Sequence, residues 1–205
     1  MECTSKALRV VYGDFTLGVH GEGFDYIFSY AQGGLESIVK NGYEWLYRCP
    51  KPTFWRALTD NDRGSKFHIK SGSWLAADMF IDCKDVAVIT DGVSQGKPCA
   101  PENNKYGSDV YADEIIVQYV YETVTTPATT VTVTYSVNCI GRITVKVSYK
   151  GVKGLPELPV FGLRFIMPTL ADEYMYEGLF GETYPDRMAG AVKGVYKIND
   201  LSLTP

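Results

Sequence analysis

Residues 131–137 read VTVTYSV and residues 143–149 read ITVKVSY, so both segments alternate apolar and polar side chains. Successive side chains of a β-strand point to opposite faces, and this alternation is typical of a strand with one buried face. Asn138 and Gly141, which lie between the two segments, favour a turn. The pattern therefore predicts an antiparallel hairpin with one face against a core and the other face in solvent.

Further strands are predicted on both sides of this hairpin. Hairpin turns between predicted strands are expected at Gly33-Gly34 and at Asn41-Gly42. We expect one short helix, over Ser73–Phe80, where Ser73 is a capping residue and Trp74, Leu75 and Met79 form a partial apolar stripe. Many short strands at hairpin spacing predict an all-β fold, an antiparallel β-sandwich. The other predicted strands are 8–12, 15–19, 26–30, 115–121 and 161–167, the last with Phe161, Leu163, Phe165 and Met167 on one face.

Composition argues against several classes of function. The chain of 205 residues has a net charge of −4 and no run of Lys and Arg, which argues against nucleic-acid binding. No apolar stretch approaches the ~20 residues of a membrane span, and the first residues lack the apolar segment of a secretion signal. The five cysteines are widely spaced without a C-x-x-C pair. We therefore expect reduced thiols, no metal site and a cytoplasmic location. Residues 91–109, rich in Gly, Pro, Ser and Asn, are predicted to form a long loop.

Residues 52–64 read PTFWRALTDNDRG, an aromatic strand that runs into a cluster of polar side chains. One interpretation is an ordered turn held by its own Asx side chains, with Gly64 in the left-handed conformation. The other is a polar loop presented to a ligand or a partner. The candidate residues are Arg56, Thr59, Asp60, Asn61, Asp62, Arg63 and Gly64.

Two chemical roles for this segment are disfavoured. Asp60 and Asp62 are two residues apart on one turn, so they cannot easily flank a scissile bond from opposite sides as a catalytic carboxylate pair must. The Asp-x-Asp spacing hints at calcium, but the further acidic ligands of a calcium loop do not follow. We therefore expect no catalytic residue and no metal here.

A second unusual segment, residues 174–187, reads YMYEGLFGETYPDR and places aromatic side chains around two glycines. In one interpretation, Asp186 or Arg187 bonds to nearby backbone or forms an ion pair that fixes a crossover. In the other, Glu182, Tyr184 and Arg187 face an interface, where Tyr and Arg are enriched. The sequence leaves both interpretations open.

These two segments carry a family resemblance. Residues 54–57 and 59–64 resemble the signature F-W-R-A-P-T-D-N-D-R-G of the C-terminal β-sandwich domain of glycoside hydrolase family 2 β-galactosidases, with Leu58 in place of the usual proline. Residues 161–164, in the strand that ends at Pro168, resemble its R-x-G-L-R segment. Residues 178–187 are similar to its G-x-G-P-x-E-x-Y-P-D-R segment, without the proline and one residue shorter. Residues 33–37 and 44–46 resemble its opening hairpins.

The resemblance implies a galactose-mutarotase-like supersandwich in which residues 1–205 are a small-chain domain, truncated on its C-terminal side. It implies that both catalytic glutamates lie in the barrel of a separate large catalytic chain, with no cofactor in this chain. Any Mg²⁺ or Na⁺ of the whole enzyme would be held by that large chain, and galactoside would bind only in the assembled enzyme. The segment 60–64 would approach the mouth of the active site and help to order it.

The resemblance also predicts self-association of a truncated chain, through strand edges near 161–167 or 195–203. An alternative function is an autonomous carbohydrate-binding or mutarotase-like module that uses Trp55 and Trp74 as stacking platforms. A mutarotase needs a His and a Glu converging on the sugar ring, and neither His20 nor His68 lies in such a motif. A purely structural or adhesive β-sandwich would leave the polar segment at 59–64 unexplained.

Overall fold

The computed structural model of the chain describes residues 8–100, 110–180 and 190–199. The chain forms two compact units, Met1–Pro168 and Thr169–Pro205. No helix among the described residues is long and apolar enough to cross a membrane.

The described part of the first unit is built from antiparallel strands with two short α-helices. Its strands are β1 (Leu8–Tyr12), β2 (Thr16–Gly21), β3 (Phe24–Ser29), β4 (Gly34–Lys40), β5 (Tyr43–Glu44), β6 (Arg48–Thr53), β7 (Asp82–Thr90), β8 (Val93–Gly96), β9 (Val110–Ala112), β10 (Glu114–Glu122), β11 (Thr130–Asn138), β12 (Ile143–Tyr149) and β13 (Gly162–Ile166). The helices are α1 (Asp60–Gly64) and α2 (Phe67–Lys70), and a 3₁₀ turn follows at Gly72–Trp74. A six-stranded sheet has the order β5-β4-β3-β2-β1-β9, a five-stranded sheet has the order β12-β11-β10-β7-β8, and β13 pairs with β6.

The predicted all-β fold is confirmed, and the hairpin predicted at 131–149 is β11–β12. Val131, Val133, Tyr135 and Val137 are all fully buried, as their alternation with polar residues predicts. The Tyr135 ring lies 5.8 Å from that of Phe28 on the six-stranded sheet. The buried faces of the two larger sheets therefore form one shared core.

Two tyrosines of this core, Tyr26 and Tyr119, use their hydroxyl groups to reach backbone carbonyls across the core. The Tyr26 hydroxyl donates to the Gly141 carbonyl at 2.6 Å, and the Tyr119 hydroxyl donates to the Gly34 carbonyl at 3.2 Å. Each of these two tyrosines thus contributes apolar area while its hydroxyl group stays hydrogen-bonded. Burial raises the pKa of the Tyr26 hydroxyl.

The single helix predicted over Ser73–Phe80 is wrong. Only Gly72–Trp74 is helical there, as a 3₁₀ turn, and Ala76 takes a left-handed conformation with φ 61° that is incompatible with a continuing helix. Trp74 is fully buried, whereas Leu75 and Met79 are 61% and 75% exposed. The three side chains therefore do not share one face, and the two α-helices lie earlier in the chain.

The long loop predicted at 91–109 is wrong in its first part. Asp91 and Gly92 both have positive φ, 48° and 78°, and they turn the chain from β7 into β8. Two central residues of positive φ are typical of the type I′ hairpin turn. Residues 101–109 lie outside the described part of the chain.

The cysteines differ from one another in chemical state. Cys49, Cys83 and Cys99 are free thiols, whereas Cys139 is disulfide-bonded. The expectation that all the thiols are reduced is therefore wrong at Cys139. Burial raises the pKa of the Cys49 thiol to about 11.

The described part of the second unit contains a two-stranded hairpin of β14 (Tyr174–Phe180) and β15 (Val192–Ile198). Tyr196 stacks against Phe180 with ring centroids 4.7 Å apart, and lies 5.5 Å from Tyr176. Exposed Met175 and Val195 show that this hairpin carries uncovered apolar surface. Self-association through strand edges near 161–167 or 195–203 stays a prediction.

Candidate functional site

The segment that follows β6 is anchored on an aromatic cluster. Phe54 is fully buried, and its ring centroid lies 5.3 Å from that of Trp74 and 6.4 Å from that of Phe161. The Trp74 indole N–H donates to the Pro156 carbonyl at 3.1 Å. Full burial of Trp74 rules it out as the stacking platform that a carbohydrate-binding module would need. Its role is to support the chain that leads into the polar segment.

The polar segment forms a one-turn helix, α1. Thr59 is its N-cap and makes a reciprocal capping box with Asp62. The Asp62 N–H donates to the Thr59 hydroxyl at 3.2 Å, and the Thr59 N–H donates to the Asp62 carboxylate at 2.8 Å. Such a box satisfies two backbone N–H groups that would otherwise lack partners at the start of a helix.

Arg56 fixes α1 to the rest of the unit. Its guanidinium donates to both Asp62 carboxylate oxygens, at 2.6 Å and 3.2 Å, and its Nε donates to the Pro159 carbonyl at 3.2 Å. This bidentate pairing is the strong form of an ion pair. The hydrogen bonds from Arg56 hold the pKa of Asp62 well below its usual range, and the hydrogen bond to Asp62 raises the pKa of Arg56. Asp62 is therefore a structural carboxylate and is not available as a proton donor.

The outer side of α1 is polar and open to solvent. The Asp60 carboxylate lies 2.8 Å from the Arg63 guanidinium, and the two side chains are 97% and 63% exposed. Asn61 is also exposed. The candidate residues thus divide into Arg56, Thr59 and Asp62, which hold the shape of α1, and Asp60, Asn61 and Arg63, which face outward.

Gly64 does not take the left-handed conformation proposed from the sequence. Gly64 is the last residue of α1, and a Cβ added there would meet no atom within 4 Å. Lys66 takes the left-handed conformation instead, with φ 57°. The expected requirement for glycine at position 64 is therefore wrong.

The histidines are placed on different elements. His20 lies in β2 with its Nδ1 at 2.6 Å from the Asp25 carboxylate, whereas His68 lies in α2. Among the described residues, no group of three or more His, Cys, Asp or Glu side chains could hold a metal ion. Glu182, Tyr184, Asp186 and Arg187 lie outside the described part of the chain.

An apolar feature of this region was missed from the sequence. Four large apolar side chains between residues 69 and 80 are strongly exposed: Ile69 at 68%, Leu75 at 61%, Met79 at 75% and Phe80 at 65%. Uncovered apolar area of this kind is typical of a surface that contacts another molecule. The signal in the sequence is the apolar content of 73–80, where Trp74, Leu75 and Met79 were predicted to form the partial apolar stripe of a helix.

Asp62→Asn is expected to lower the melting temperature by a few degrees at pH 7. The folded-state pKa of Asp62 is depressed, so its stabilising contribution is present above the unfolded pKa of about 3.9 and is lost as the pH falls through the folded value. The gap between wild type and Asp62→Asn should therefore shrink below about pH 4. Thermal melts across pH test this. The matched control Asp60→Asn, which breaks an exposed pair, should change little, and a gap that is constant with pH would contradict the assignment.

Comparison with known proteins finds relatives along nearly the whole chain. A family model described as "Beta galactosidase small chain" matches residues 20–202. The chain is 56% identical over 205 residues to a "Beta-galactosidase small subunit" of Latilactobacillus sakei and spans 64% of that protein. It is 37% identical over 195 residues to a "Beta-galactosidase" of Clostridium acetobutylicum and 34% identical over 191 residues to one of Streptococcus thermophilus, of which it spans 20% and 17%.

Proposed function

Because the chain belongs to the β-galactosidase small-chain family, we propose that it is a non-catalytic part of a β-galactosidase that hydrolyses lactose and other β-galactosides together with a large catalytic chain. The observation that carries this proposal is the set of contacts made by the two carboxylates of α1. Asp62 is held as an anion by Arg56, and Asp60 faces solvent beside Arg63. A carboxylic acid must keep a proton available to act as a general acid. Helix α1 is therefore suited to recognition rather than to acid–base chemistry.

We assign the outer residues of α1 to the contact with the large chain, at the mouth of its active site. Arg56, Thr59 and Asp62 keep α1 in a fixed shape, so Asp60, Asn61 and Arg63 are presented with little loss of freedom on binding. The exposed apolar side chains at 69–80, in the segment that follows α1, support a protein partner. We also propose interface or structural roles for Glu182, Tyr184, Asp186 and Arg187. That residues 1–205 act as one small-chain domain stays a proposal. A cytoplasmic location stays a prediction.

Reconstitution tests the proposal. The purified chain, made in a host without its own β-galactosidase, should not hydrolyse a chromogenic galactoside, whereas its mixture with the large chain should turn over at about 1–10³ per second. Turnover at such rates by the chain alone would overturn the proposal, as would a large chain whose activity is unchanged by addition of this chain.

In the same assay, Asp60→Ala should lower kcat/KM or weaken assembly by roughly tenfold, while the melting temperature of the isolated chain stays unchanged. Asp82→Ala is the matched control, because Asp82 forms a similar exposed pair with Lys84 on β7, at 2.6 Å. If Asp60→Ala instead destabilised the isolated chain and left the assembled kinetics untouched, α1 would be only a structural element.

A further inference from the structure

A second site, whose lining includes no residue of α1, lies between β6, β13 and residues 78–81. It is a cleft of about 470 Å³ whose charged lining residues are Arg48, Lys51, Asp78 and Arg164. The other described lining residues are uncharged. Three cations and a single carboxylate therefore share this cleft.

A bulge in β6 brings the cations together. Lys51 lies opposite Arg164 and Arg48 lies opposite Ile166, so three steps along β6 match two steps along β13. The extra residue in β6 places Arg48 and Lys51 on the same face, and both line the cleft. Like charges directly opposite each other in a β-ladder are destabilising, and this pairing is therefore a structural cost that a bound anion would relieve.

The compensation of these charges within the described residues is incomplete. The Asp78 carboxylate lies 3.5 Å from the Arg164 guanidinium, which also donates to the Thr53 hydroxyl at 2.9 Å. The Lys51 ammonium donates to the Gln32 carbonyl at 2.5 Å, a neutral acceptor. The Arg48 guanidinium has no hydrogen bond or ion pair with any residue that the structure describes.

We propose that this cleft binds an oxyanion of the phosphate class, with the free guanidinium fork of Arg48 as its main donor and with Lys51 and Arg164 beside it. A planar guanidinium matches the geometry of two phosphate oxygens, and the two uncompensated positive charges match a dianion. The net charge of −4 disfavours a long polyanion at this small cationic site. The cleft volume leaves room for either free phosphate or a sugar phosphate ester. The inference does not rest on the proposed function.

Calorimetric titration of the 205-residue chain with inorganic phosphate tests this, against sodium chloride at equal ionic strength because salt screens surface charge. Phosphate should bind saturably and chloride should not. Arg48→Gln should weaken phosphate binding roughly tenfold, the loss expected for one charged hydrogen-bonding group. Arg9→Gln is the matched control, since Arg9 is an exposed arginine of β1 that does not line the cleft.

Two further arms sharpen the test. Asp78→Asn removes the opposing charge and should tighten phosphate binding, a gain that general damage to the fold would not produce. A monosaccharide phosphate that binds more tightly than inorganic phosphate, with the same loss in Arg48→Gln, would identify an ester as the ligand, and equal binding would identify the free ion. Lack of saturable binding by either phosphate, or binding that Arg48→Gln and Asp78→Asn leave unchanged, would overturn the proposal.

Discussion

Trp74→Ala is expected to lower the free energy of unfolding by roughly 3–5 kcal/mol. The Trp74 side chain is fully buried, and its ring contacts those of Phe54 and Tyr149 with centroids 5.3 Å and 5.9 Å away. Its removal would leave a cavity under the segment that leads into α1. It would also leave the Pro156 carbonyl without its indole donor. Denaturant unfolding of the purified chain measures the loss.

Two variants make this result specific. Trp45→Ala removes a tryptophan that is 44% exposed, so it should cost no more than about 1 kcal/mol. Trp74→Phe keeps an aromatic ring and loses the hydrogen bond, so its cost should fall between the two alanine variants. If Trp74→Ala and Trp45→Ala had similar costs, the aromatic cluster would not be the support of the candidate site.

Gly141→Ala is expected to cost roughly 2–4 kcal/mol, from backbone strain and steric overlap together. Gly141 has φ +71°, a conformation that disfavours a side chain. A Cβ at this position would also lie 2.5 Å from the ring of Phe24. The Tyr26 hydroxyl donates to the Gly141 carbonyl, which restrains the backbone from moving away.

Gly42→Ala separates these two contributions. Gly42 has a similar φ of +77°, but a Cβ there would meet nothing within 4 Å. This control should show only the strain of about 1–2 kcal/mol. Denaturant midpoints of both variants, compared with wild type, give the difference. Equal costs at the two positions would mean that the Phe24 ring moves aside freely, which would contradict close packing between the sheets.

Several features of the chain follow from neighbouring residues alone. The alternation in 131–137 predicted a strand, and Asn41-Gly42 predicted a hairpin turn; the structure contains both. These predictions succeeded because side-chain period and turn conformation are local properties. The capping box of α1 was also present in the sequence as Thr59 and Asp62, three residues apart. It was overlooked because a five-residue helix is too short to show an apolar period.

Other features depend on residues that meet only after folding. Trp74 enters the core while Leu75 and Met79 stay exposed, because the aromatic rings of Phe54 and Tyr149 provide a pocket for Trp74 alone. Arg56 reaches Pro159, 103 positions along the chain, and the register of β6 with β13 sets Lys51 opposite Arg164. The sequence by itself determined the strands, the turns and the polar segment, since these depend on local periodicity and backbone preference. Only the tertiary structure decided which side chains are buried and which charges share a cleft, because those outcomes depend on strand register and packing between distant segments.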